Sequence, residues 1–217
     1  MIKTTDLYKS VNEIIKPLFD SSVYPFEIIS ALQGYLTAMI ERGISGFTRF
    51  KRNILLAPDV KITRGAVIEG PLIICCGAEI RTGAYIRGNS FIGEGCVVGN
   101  STEVKNSVLL DCAKAPHFNY VGDSILGYMS HIGAGVILSN LKSDGSYVKI
   151  KAEEEYATKR KKLGSFLGDH SEIGCGSVLN PGTVVGIGSR AYPLIALRGV
   201  YPNGVIIKSE SNITPIA

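Results

Sequence analysis

Leu56, Ile62, Ile68, Ile74, Ile80, Ile86, Ile92, Val98, Val104 and Leu110 follow one another at intervals of six. Two positions before each stands a small or apolar residue: Ile54, Val60, Ala66, Leu72, Ala78, Ala84, Ser90, Cys96, Thr102 and Val108. A fixed short period marks a solenoid. A period of six predicts a parallel β-helix with one short strand and one turn per hexad. The branched residue points inward and stacks on its equivalent in the next coil. The rhythm is expected to break around His117 and to resume at Leu126, Ile132 and Leu138. A second break covers 139–166, after which Leu167, Ile173, Leu179 and Val185 carry it on. Solenoid insertions project as loops, and loops carry sites.

The first 45 residues have a different period. Leu7, Val11, Ile14 and Ile15 recur at helical spacing, and Ile28, Leu32, Leu36 and Ile40 fall at intervals of four with Gly43 as a stop. The expected organisation is a helical hairpin over 1–45 that caps the next element. A β-helix follows over 46–200 with a projecting loop at 139–166, then an extended C-terminal tail over 201–217.

Composition narrows the function. The chain has 217 residues, 45% of them hydrophobic, which suits a protein with a buried core. Its 25 glycines lack a collagen period and point to many tight turns. The net charge of +4 is too small to argue for nucleic acid and suits a small anionic ligand. Cys75, Cys76, Cys96, Cys112 and Cys175 lack metal-type spacing and read as free thiols. The N-terminal stretch carries acids, unlike a signal peptide, and no apolar run reaches membrane-spanning length. The expectation is a soluble cytoplasmic chain with no membrane contact.

His117 lies in KAPHFNYVGDS, where the rhythm is expected to stop. An imidazole titrating near neutrality is a natural base for a nucleophilic amine or hydroxyl. Arg87 and Lys105 each follow an inward aliphatic residue and are eighteen positions apart, so a coil of three hexads would set them side by side as a phosphate clamp. A solvated surface is the plainer reading for either alone. TKRKKLG follows acidic AEEEY, and the mixed charge reads as a solvated β-arm. His117, His131 and His170 raise a zinc site as an alternative, without the spacing of known β-helical zinc ligands.

KAPHFNYVGDSILG followed by HIGAGVILSN resembles the acetyltransferase half of bifunctional glucosamine-1-phosphate acetyltransferase/UDP-N-acetylglucosamine pyrophosphorylase. SNLKSDGSYVKI with KRKKLGSFLGD is similar to the archaeal sugar-1-phosphate nucleotidyltransferases that carry the same domain. The resemblance spans about Leu72 to Pro193. It implies a left-handed parallel β-helix and a homotrimer with active sites between subunits. The implied reaction is N-acetylation of an amino-sugar phosphate such as glucosamine-1-phosphate by acetyl-CoA, in UDP-N-acetylglucosamine biosynthesis and without a metal. By this resemblance His117 is the base and Asn140 the motif asparagine. Arg87, Glu103, Lys105 and Tyr120 meet the sugar and its phosphate, and Lys149 matches a lysine of the archaeal motif. Ala134 and Cys175 fall at positions that line the acetyl-CoA channel.

The chain departs from the family at Ser146, where the archaeal motif has a second lysine, and at Leu141, where the bacterial enzymes have tyrosine. No glycine-rich nucleotide motif is found, so sugar-nucleotide synthesis is not expected, which leaves a separate nucleotidyltransferase as a partner. The alternative reading is a non-catalytic trimeric scaffold or sensor that binds sugar phosphate.

Overall fold

A computed structural model describes residues 3–216. Short strands of successive coils stack into three largely parallel sheets of nine, seven and nine strands. This is the left-handed parallel β-helix expected of hexapeptide repeats. The first wall begins with Thr48–Lys51 antiparallel to Ile54–Leu56, the second with Lys61–Ile62 and the third with Val67–Glu69. Inward side chains stack coil on coil: Ile74 on Ile92, Leu109 on Leu126, and Leu167 on Val185. Burying each such branched side chain contributes about 1.5–3 kcal/mol before entropy is charged against it.

The six-residue period holds through Val104 and then shifts. Ile92 pairs with Leu109, not with Leu110, and Val104 pairs with Val121. Leu110 faces out of the solenoid, into the cluster that packs the N-terminal helices. Each of these coils is one residue short, and the loss falls at the corner between the third and first walls. There Gly88–Asn89 is replaced by Asn106 alone and, one coil on, by Asp123 alone. Asn106 and Asp123 both take positive φ, at 47° and 50°. The repeat also runs through His117 without a break. Ala115 and Val121 both point into the core, and His117 occupies an ordinary corner position between them.

The N-terminal segment forms α1 (Thr4–Leu7), α2 (Lys16–Asp20) and α3 (Pro25–Arg42). The expected first helix is therefore broken over 8–15. Its backbone donors go elsewhere: Lys9 and Ser10 N–H donate to Asp169 Oδ2 at 2.7 and 3.1 Å. Asn12 takes the Ile14 N–H on its own side chain and donates to Asp111. Pro17 then opens α2. Helix α3 buries Ile28, Leu32, Leu36 and Ile40 and ends at Gly43, φ 78°. The helices cover the β-helix along the side of its first wall, packing on Leu55, Ile73, Phe91, Val108 and Ile125.

The insertion at 139–166 is a β-hairpin, Val148–Lys151 against Glu155–Arg160. It folds back: Val148 and Ile150 are buried in the same cluster as α3. The tail is also ordered, with Val205–Ser209 extending the second wall and Asn212–Pro215 returning antiparallel to it. No helix among the described residues is long and apolar enough to cross a membrane.

Candidate active site

Two edges of the third wall carry most of the residues singled out above. At the corner with the second wall, His117 is exposed at the end of Lys114–His117. The next residue, Phe118, turns the chain with φ 52°, and Asn119 fixes the turn from inside. Asn119 is buried, accepts the His117 N–H at 3.1 Å and donates to the Gly133 carbonyl at 2.7 Å. Sequence reasoning passed over Asn119. The hint was a polar residue where its counterpart one coil on is Val136.

A ladder of backbone hydrogen bonds stacks this corner. Gly135 N–H donates to the His117 carbonyl, Gly176 N–H to that of Ala134, and Leu194 N–H to that of Cys175. His117, Ala134 and Cys175 therefore stand one above another on successive coils, about 4.8 Å apart. The two residues stacked on His117 in this column, Ala134 and Cys175, have small side chains.

The other edge holds the charges. Arg87 and Lys105 lie at the ends of neighbouring strands, as their spacing predicts. Each has its own carboxylate: Arg87 Nη1 is 2.9 Å from Glu103 Oε1, and Lys105 Nζ is 3.6 Å from Asp123 Oδ2. The hydrogen bond and charge of Glu103 push the Arg87 guanidinium above its usual pKa. Asp123 is the hub. It is 2% exposed, accepts from Asn106 Nδ2 at 2.6 Å and from Asn140 Nδ2 at 2.5 Å, and faces Arg160 Nη2 at 3.8 Å. Asn140 is thus anchored to this corner, and its carbonyl accepts the Leu163 N–H at the base of the inserted segment.

Tyr120 lies between the two edges, in register with Glu103. Burial raises its phenol pKa, the nearby charges of Glu103 and Asp123 add to this, and a hydrogen bond with Asn140 opposes it. Gly122 makes room for this arrangement. A Cβ there would stand 2.6 Å from the Tyr120 hydroxyl and 2.8 Å from Asn140 Nδ2. Gly122→Ala is expected to push both side chains aside and to cost about 1–2 kcal/mol of stability, as overpacking does. A denaturant melt of the variant checks this.

Lys149 stands apart. It pairs with Glu155 at 2.5 Å and lines a cavity of about 520 Å³ with Lys142, Lys151, Asn180 and Arg198. The described residues contain no cluster of three metal-ligating side chains. His117 and His131 sit on adjacent strands, whereas His170 lies at the opposite corner of the second wall, edge-on to Tyr128.

Burial lowers the His131 pKa, Glu172 opposes this, and Lys114 and His117 reinforce it. A folded-state pKa below the unfolded value means the unfolded chain takes up the proton first. Stability should therefore fall as pH drops through about 6.5, the unfolded histidine value. The melting temperature is expected to decline from pH 7 to 5 (values spanning that pKa) and to decline less in His131→Asn.

Residues 68–159 match the family model described as the GMPPB C-terminal domain. A bifunctional sugar-1-phosphate nucleotidylyltransferase/acetyltransferase of Sulfurisphaera tokodaii is 36% identical over 146 residues, covering 67% of this chain and 36% of that protein. The bifunctional protein GlmU of Methanococcus maripaludis strain C5 is 33% identical over 201 residues, covering 87% and 48%. The chain thus spans less than half the length of either relative. Among solved structures, PerB from Caulobacter crescentus, in complex with CoA and GDP-perosamine, aligns with a TM-score of 0.41 and 16% identity over 70% of this chain and 52% of that one.

Proposed function

We propose that this chain, a hexapeptide-repeat protein resembling the acetyltransferase half of such bifunctional enzymes, transfers the acetyl group of acetyl-CoA to the amine of an amino-sugar phosphate such as glucosamine-1-phosphate. The observation that carries this is the third wall. An exposed histidine and a column of small side chains occupy one edge, and a cation-rich corner occupies the other. Roughly 10 Å of strand separates the two edges.

In this reading the thioester lies along the Ala134–Cys175 column and the sugar lies across Tyr120 and Glu103. Arg87 and Lys105 meet the phosphate. The amine nitrogen attacks the thioester carbonyl carbon and His117 takes its proton. The C–S bond then breaks, the amide forms and CoA leaves as the thiol after receiving a proton. General-base help of this kind is worth about 10²–10⁴-fold.

The active assembly is a homotrimer in the cytoplasm. Phe118 and Leu194 support a second copy at the histidine edge. Both are large and apolar, sit at positive φ, and are 60% and 83% exposed. A left-handed turn is costly for such residues, and burial against a neighbour would offset that cost.

Equilibrium binding tests the reading against a sugar-phosphate sensor. An acetyltransferase binds both acetyl-CoA and glucosamine-1-phosphate. A sensor binds the sugar phosphate and ignores acetyl-CoA.

A further inference from the structure

A cavity of about 320 Å³ opens at the charged corner, between α3 and the base of the inserted hairpin. Its walls carry Lys105, Arg160 and Lys162 against a single carboxylate, Asp123. Both ion pairs to Asp123 are long, 3.6 Å from Lys105 and 3.8 Å from Arg160, and the two cations are 24% and 27% exposed. Arg160 Nε also donates to the Lys162 carbonyl at 3.2 Å, which holds the two cationic residues together. Lys162 has no ion-pair partner among the described residues. Helix α3 supplies polar groups: Ser30 Oγ accepts from Arg160 Nη1 at 3.2 Å, and the exposed Gln33 lies on the rim.

We infer that this cavity is a phosphate subsite, in which Lys105, Arg160 and Lys162 hold a phosphoryl dianion and Gln33 of α3 guards the entrance. Two positive charges remain there after Asp123 is counted, matching a phosphate monoester. Arg87, paired with Glu103, does not line this cavity. Guanidinium and ammonium groups bind phosphate through charge-assisted hydrogen bonds. The N-terminal helices then form part of the site and are more than a cover for the first wall. The identity of the phosphate as that of the acceptor rests on the proposed acetyl transfer, whereas the subsite itself does not.

Calorimetric titration with inorganic phosphate and with glucosamine-1-phosphate tests it, using wild type, Gln33→Glu and Lys162→Gln. Both side chains are exposed, so the folds should survive, and melting temperatures check this. Wild type should bind inorganic phosphate, and each variant should weaken it about tenfold, by a new negative charge or a lost positive one. Wild type that binds no phosphate, or affinities unchanged in both variants, would overturn the inference. The acetyl-transfer rate of the same proteins separates the two ideas. Transfer with an unaltered acceptor KM in both variants removes the subsite and keeps the enzyme. Weakened phosphate binding with no transfer to any acceptor keeps the subsite and removes the enzyme.

Discussion

His117→Ala is expected to lower turnover by about 10²–10⁴-fold and to leave the melting temperature where it is. The two effects separate because of how the residue is held. Its hydrogen bonds to Asn119 and Gly135 use its backbone N–H and carbonyl, which alanine keeps. The imidazole is exposed and packs into no core cluster. Removing it takes away a proton acceptor and little else, so the acceptor KM should change far less than kcat. Steady-state kinetics beside a thermal melt checks both. Unchanged turnover would move the base to another group, and His131 on the adjacent strand is the first to test.

Substitution of Asp123 should give the largest stability loss of any single change at the site. Both carboxylate oxygens accept from side-chain amides, one from Asn106 and one from Asn140, and two cations stand beside them. Asp123→Ala leaves these donors unmatched at a buried corner, a loss of about 2–3 kcal/mol once the partial exposure of Lys105 and Arg160 is allowed for. Asp123→Asn should also be costly. Whichever way its amide points, one NH₂ faces another NH₂. Denaturant melts of both variants measure this, and a loss below about 0.5 kcal/mol in each would show that the corner is held by backbone alone.

Much of this was legible beforehand, for identifiable reasons. Ile28, Leu32, Leu36 and Ile40 repeat every four residues, and all four are buried along α3. The stacked positions from Ile62 to Val104 repeat every six because each coil presents one branched residue per wall. The shortened corner was hidden by chance. Leu110 is apolar and stands where a sixth position would, so the count runs on although Leu109 is the inward residue. Losing that step also made the stretch around His117 look like an interruption.

Asp123 escaped for another reason. A Gly-Asp pair between strands reads as an ordinary turn. Only folding brings Asn106, Asn140 and Arg160 to it from seventeen and thirty-seven positions away. The break in the N-terminal helix depends likewise on Asp169 and Asp111, carboxylates far along the chain that take its backbone and side-chain donors.

The most direct measurement is acetyl transfer from acetyl-CoA to glucosamine-1-phosphate and galactosamine-1-phosphate by the wild-type protein. Mass spectrometry should follow it, because the protein's own five cysteines would react with a thiol dye. The expected result is an N-acetylated sugar phosphate formed in step with free CoA. A folded protein that binds either sugar phosphate yet leaves acetyl-CoA intact would contradict acetyl transfer and make the third wall a binding surface alone.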